Sequence, residues 1–210
     1  MNILELQVTN IVTFGSKITM NILLELYKKN STVFTFREIS MLFPDISYPN
    51  LRRRLNYYHA KGNLIKLRRG IYAKENYNPL EFSGKIFTPS YISLESVLFN
   101  EGIIFQPPQA ISVVSYLTRR VKSKNIAIQF RKIKKEILFN REGLEEKDGY
   151  FIADRERAFL DTVFLYKDFY FDNLRPLNWD KINQLSHIYQ SASLEKRTAI
   201  ILNNFKNEIR

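Results

Sequence analysis

Residues 47–62 read SYPNLRRRLNYYHAKG: three adjacent arginines, no acid, and apolar residues at helical spacing. Ser47 fits an N-cap, and Pro49 falls in the first turn, where a missing N–H is no loss. At about 100° per residue, Leu51, Leu55 and Tyr58 share one stripe that would face a core. Asn50, Arg53, Asn56 and Tyr57 lie roughly opposite, with Arg52 and Arg54 along the two flanks. Such a helix has an apolar back, a front of donors and aromatics that suits base edges, and edges that suit phosphates.

The neighbouring stretches build a domain around it. Upstream, TFREISMLF starts at Thr35, and Thr35 with Glu38 forms the capping-box pattern, in which each side chain satisfies the other's free backbone donor. Pro44 ends that helix. Ser16 is expected to cap an earlier helix running to about Lys29, with Ile18, Ile22, Leu23 and Leu26 on one stripe; the residues before it read weakly as a packing helix. Downstream, NLIKLRRGIYAK reads as two short strands, Leu64–Leu67 and Ile71–Lys74, turned at Gly70 with Arg68 and Arg69 at the tip.

Three helices followed by a basic β-hairpin is the order of a winged helix-turn-helix, whose third helix enters the major groove while the wing touches backbone or minor groove. The candidate DNA-binding set is therefore Ser47, Tyr48, Asn50, Arg52, Arg53, Arg54, Tyr57, Lys66, Arg68 and Arg69. A solvated basic face is the ordinary reading of an isolated arginine triplet. The helix-stop-helix spacing, the two-faced helix, the glycine-turned hairpin and the missing acids together favour double-stranded DNA.

Charge over the 210 residues points the same way. Lys and Arg outnumber Asp and Glu 32 to 21, for a net charge of +11, an excess that suits an anionic partner. Ser47 to Lys74 holds eight cations and no acid. Apolar residues make up 45% of the chain, enough for packed cores. There is no cysteine, which excludes disulfides and thiolate chemistry, and His59 and His187 alone cannot build a multi-histidine metal centre. No run approaches the ~18 apolar residues of a membrane span and no signal-like leader is visible, so a soluble, cytoplasmic protein with no membrane partner is expected.

KENYNPLEFSGKIFTP reads as a turn-prone link near residues 76–88, dividing a DNA-binding domain (1–80) from an α+β domain (85–210) with a small sheet and C-terminal helices. In the second domain SYISLESVLFNEGII reads as a helix capped by Ser90 or Ser93 and stopped at Gly102. Ile111, Val113 and Val114 suggest a strand, as do Ile126, Ala127, Ile128 and Phe130; Glu142 to Gly149 reads as an acidic turn. YFIADRERAFLDTVFLY reads as a short strand and a helix capped by Asp154, with Ala158, Phe159, Val163 and Tyr166 inward, and two more helices are expected after Asp180 and Ser193.

Asp154, Glu156 and Asp161 are the best metal candidates, yet an N-cap and a first-turn acid explain the first two, and Asp161 shares no helical face with Glu156. A nuclease of the acid-x-lysine type would want a carboxylate near Gln129 and a lysine near Arg131, where the chain has QFR. No phosphate-cradling glycine loop and no serine–histidine pairing is evident. The expectation is no enzyme, no metal and no cofactor. Arg119, Arg120, Lys122, Lys124, Arg131, Lys132, Lys134 and Lys135 form a second acid-free run, for which a plain solvated surface is the ordinary reading and a phosphate-binding or partner-docking surface the alternatives.

Together, YISLESVLFNEGII, ISVVSYLTRR, IADRERAFLD and RRGIYAK resemble the AbiEi antitoxins of bacterial type IV toxin–antitoxin systems, over roughly residues 15 to 200. The likeness is clearest at SYISLESVL (Ser90 to Leu98) and IADRERAFLD (Ile152 to Asp161). The family often has proline before the Glu-Arg-Ala of the second motif; here Arg155 takes that place, while Asp154, Glu156, Arg157, Ala158, Leu160 and Asp161 match. The resemblance implies an N-terminal winged helix-turn-helix that represses its own operon at inverted repeats in promoter DNA. It also implies a C-terminal domain that counteracts a nucleotidyltransferase-like toxin encoded next door, with or without direct contact. A protein-binding module, or a winged-helix regulator without an antitoxin role, is the alternative.

Overall fold

The computed structural model describes residues 21–208. Over these residues the chain is a mixed α/β protein with two sheets and C-terminal helices.

Helix α1 (Ile22–Lys28) begins at Asn21, whose side chain accepts from the backbone of Leu23 at 3.1 Å and Leu24 at 3.5 Å. Asn21 is extended and takes the cap expected of Ser16; Ser16, Ile18 and the weakly assigned segment before them lie outside the described residues. Strand β1 (Val33–Thr35) leads directly into α2 (Phe36–Leu42). The capping box is present: Thr35 N donates to Glu38 Oε2 at 2.6 Å, and Glu38 N to Thr35 Oγ1 at 3.2 Å. Helix α3 (Tyr48–Ala60) follows with Ser47 at the cap and Pro49 in the first turn, although the Ser47 hydroxyl bonds no backbone donor. Strands β2 (Ile65–Arg68) and β3 (Ile71–Ala73) form a hairpin turned at Gly70, whose φ of +78° is costly for any side chain.

The strand order β1-β3-β2 is antiparallel throughout. β1 was not expected from the sequence, because three residues earn strand character only through their partner, β3, far along the chain. One face of this sheet carries Phe34 and Tyr72, which join Ile22, Leu26, Ile39, Leu51, Leu55 and Leu64 in a first core. The other face, Val33, Leu67, Ile71 and Ala73, belongs to a second and larger core.

The stretch expected to be a turn-prone link is helix α4 (Pro79–Ile86), capped by Asn78 and wedged between the two sheets. Glu81 is wholly buried there; it accepts from Thr32 N at 2.8 Å and Thr32 Oγ1 at 2.6 Å, and pairs with Lys85 at 3.1 Å. Lys85 also reaches Glu38 at 3.2 Å, so α4 is clamped to the start of α2. Gly84 is required by close approach, since a Cβ there would sit 2.8 Å from the Tyr150 Cβ.

The second sheet is larger than expected. It comprises β4 (Ser90–Ile92), β5 (Ile111–Ser115), β6 (Arg119–Ser123), β7 (Ile126–Lys132), β8 (Leu144–Lys147) and β9 (Tyr150–Ala153), in the order β6-β7-β5-β4-β9-β8. The β5–β7 and β4–β9 pairs are parallel. Ser90–Ile92 is strand rather than helix, because Ile92 is held between Val113 and Ile152 in mid-sheet. The helix begins only at α5 (Glu95–Asn100), so neither Ser90 nor Ser93 caps it. The supposed acidic turn is largely β8, whose identity rests on pairing with β9.

Helices α6 (Lys135–Phe139), α7 (Arg155–Leu165), α8 (Trp179–Ser186) and α9 (Ala192–Glu208) complete the described chain. Asp154 caps α7 as expected, accepting from Arg157 N at 2.7 Å, and Ala158, Phe159 and Val163 are buried. Tyr166 is only half-buried, because it lies just past the helix end.

Candidate nucleic-acid interface

Helix α3 divides as its sequence implied. Leu51 and Leu55 are fully buried in the first core and Tyr58 is half-buried against it. Asn50, Arg52, Arg53, Asn56 and Tyr57 are exposed, and Arg54 is half-buried at one flank. Arg53 Nη2 donates to Asn50 Oδ1 at 3.1 Å, so the two front residues present one joined polar surface. Ser47 and Tyr48 are exposed at the head of the helix, with the Tyr48 ring packed 4.4 Å from that of Phe36 at the start of α2. Tyr57 rests edge-on against Tyr58 at 5.9 Å and beneath the Lys61 ammonium at 6.0 Å.

The β2–β3 hairpin continues this surface. Lys66 Nζ donates to Asn56 Oδ1 at 3.4 Å, joining β2 to α3. The turn is fastened to α2 by Phe36 N, which donates to Gly70 O at 2.7 Å. Arg69 is exposed at the turn; Arg68 lies 5.8 Å above the Phe87 ring, at the seam with the second sheet. Among the described residues, none of Arg52, Arg53, Arg54, Lys61, Lys66, Arg68 and Arg69 forms an ion pair with a carboxylate. Their charge bears on neutral neighbours instead: burial raises the Tyr58 hydroxyl pKa and Arg54 opposes it, and Arg52 likewise opposes burial at Tyr72. Unpaired cations around a donor-bearing helix are equipped to displace counterions from a polyanion.

The second basic run is dispersed. Arg119, Arg120 and Lys122 lie exposed on β6, at the sheet edge, and Lys124 occupies the β6–β7 turn with φ +50°. Arg131 is partly buried, donating to Tyr166 Oη at 3.2 Å and stacking 5.4 Å from that ring, so it is a packing residue rather than a free cation. Lys132, Lys134 and Lys135 are exposed at the opposite end of β7, where Lys134 overhangs Phe164 at 5.7 Å.

A scan of protein-family models and a search of curated proteins return no match to this chain.

Asp154, Glu156 and Asp161, the candidate metal ligands, are each occupied by the fold. Asp154 caps α7 and pairs with Lys181 at 2.7 Å. Glu156, nearly buried, accepts from Asn178 N at 3.1 Å and also meets Lys181 at 3.2 Å. Asp161 is wholly buried and accepts from the hydroxyls of Tyr189 at 2.7 Å, Ser93 at 2.8 Å and Tyr91 at 3.1 Å. Beside it Arg157, also wholly buried, donates to the carbonyls of Glu142 at 2.7 Å and Ile137 at 2.8 Å. Burial raises the Asp161 pKa, and the Arg157 guanidinium is the largest opposing influence. Among the described residues no group of three or more His, Asp or Glu side chains is placed to hold a metal ion. This polar cluster was not foreseen. Its visible signals were the Arg157–Asp161 spacing of four on a helix and the Tyr91–Ser93 alternation on a strand.

Proposed function

We propose that the N-terminal unit is a winged helix-turn-helix that binds double-stranded promoter DNA, with α3 in the major groove and the β2–β3 hairpin as its wing. One observation carries this reading: α3 buries Leu51 and Leu55 and exposes Asn50, Arg52, Arg53 and Tyr57, its arginines free of carboxylate partners among the described residues. Arg53, Asn50 and Tyr57 read bases; Arg52, Arg54, Lys66, Arg68 and Arg69 grip phosphates. The chain as a whole is proposed to be a type IV antitoxin of the AbiEi kind, repressing its own operon at inverted repeats and counteracting a nucleotidyltransferase-like toxin in the cytoplasm. That second half rests on the sequence resemblance, and it assigns the chain no catalysis and no cofactor.

The deciding experiment is a mobility-shift titration with the DNA directly upstream of the coding sequence, beside a scrambled duplex of equal length. Preference for the upstream duplex, reduced by Arg53→Ala, supports the reading; equal affinity for both duplexes refutes promoter recognition. Rescue of growth when the chain is co-expressed with the adjacent gene tests the antitoxin role.

A second reading, a module that docks an acidic protein, is favoured by the exposed Lys132, Lys134 and Lys135, about 20 Å along β7 from its turn. Co-purification with the adjacent gene product, abolished by charge reversal at these lysines, would establish it.

A further inference from the structure

We infer that the edge strand β6 extends the phosphate-binding surface, with Arg119 and Lys124 gripping the duplex beside the β2–β3 hairpin; this rests on the DNA-binding reading of α3. The two elements are tied together. Leu67 is the extra residue where the register of β2 shifts between Lys66 and Arg68, and its carbonyl accepts from Ser123 Oγ at 2.9 Å. One residue beyond Leu67 is Arg68 and one beyond Ser123 is Lys124, each only ~3.8 Å further along its backbone. The tip of the β6–β7 hairpin is therefore fixed against the base of the basic turn rather than tethered loosely to it.

Strand alternation sorts the remaining cations. In the β6–β7 ladder Arg119 pairs with Phe130, Val121 with Ile128 and Ser123 with Ile126, so these six side chains share one face. That face meets the hairpin: Phe130 packs 4.9 Å from Phe87, and Arg68 lies 5.8 Å over Phe87. Arg119 thus stands on the Arg68 side of the sheet. Arg120 and Lys122 pair with Gln129 and Ala127 and project from the other face. A duplex has a charge every ~1.7 Å of its axis, so one lying along both the β2–β3 hairpin and the β6 edge would present phosphates to Arg119 and Lys124 as well as to Arg69. The second basic run then has two parts, of which only Arg119, on the hairpin-facing side, and Lys124, at the turn beside the tied Ser123, serve DNA.

The test measures affinity for the upstream duplex and for a scrambled duplex against salt concentration, using the full-length chain. Each phosphate contact removed makes the log–log salt slope shallower by about 0.9, so R119A/K124A is expected to flatten it by about 2 on both duplexes. R120A/K122A, which removes the same charge from the opposite face, is expected to leave it unchanged. Equal flattening by the two pairs, or none by the first, overturns the inference. R52A/R54A is the separate check on α3: if it leaves affinity and salt slope unchanged, the assignment of α3 as the DNA-contacting helix fails as well. Circular dichroism of each variant confirms that the fold is retained.

Discussion

Arg157 and Asp161 lie one turn apart on α7, both completely buried, with the guanidinium Nε 3.5 Å from the carboxylate Oδ1. Such a pair is costly to bury and costlier to break, because removing one partner strands the other charge away from water. Asp161→Ala is therefore expected to destabilise the chain by about 3–5 kcal/mol, measured from the midpoint of urea unfolding. A loss below ~1 kcal/mol would mean that the cluster contributes little to the fold.

Alkaline pH acts on the same region. Burial pushes the hydroxyls of Tyr91 and Tyr189 well above 10, and burial with Glu95 pushes Tyr166 to about 12. Because these folded pKa values exceed the unfolded ones, their stabilising contribution is complete below pH 10. It declines above, where the unfolded chain releases protons that the folded chain retains. Phenolate absorbance should show fewer of the 12 tyrosines ionising near pH 10 in the native protein than in urea. Identical titration curves would contradict this.

Thr35→Ala removes the acceptor for Glu38 N at the join of β1 and α2. The expected loss is about 1 kcal/mol, as for other helix caps. Thr35→Ser, which keeps the acceptor, should recover most of it in thermal unfolding.

Glu81→Gln should cost about 3 kcal/mol by leaving the nearly buried Lys85 ammonium with only the partly exposed Glu38 as its carboxylate partner. Because Glu81 also holds Thr32, the change is expected to loosen the seam between the two sheets. Amide exchange should accelerate at Thr32 and Val33 before it does in α7; uniform protection would show that α4 is no clamp.

On α3, Arg53→Ala should lower affinity for the upstream duplex more than for scrambled DNA, whereas Arg52→Ala should weaken both equally and flatten the salt slope by about 0.9. Parallel titrations of the two variants separate base reading from phosphate contact.

Short-range features were legible because their causes lie within a few residues. The Thr35–Glu38 capping box, Pro49 in the first turn of α3, the glycine turn at Gly70 and the Asp154 cap are each specified by their immediate neighbours. The two-sided character of α3 follows from helical periodicity alone, which turns Leu51 and Leu55 inward and Arg53 outward.

Long-range pairing was not legible. Val33–Thr35, Ser90–Ile92 and Leu144–Lys147 are strands because β3, β5 and β9 supply their hydrogen bonds, and short segments have no periodicity strong enough to announce this. The α4 segment read as a linker because Asn, Pro, Ser and Gly also mark turns, yet Asn78 and Pro79 open a helix whose buried Glu81 is tolerable only where Thr32 and Lys85 meet it. Folding likewise converted Asp161 from a metal candidate into the acceptor of three hydroxyls and brought Ser123 onto Leu67. Periodicity and capping act over one or two turns and can be read along the chain; the pairing of a buried charge or a strand edge depends on partners tens of residues away, which become neighbours only in the folded molecule.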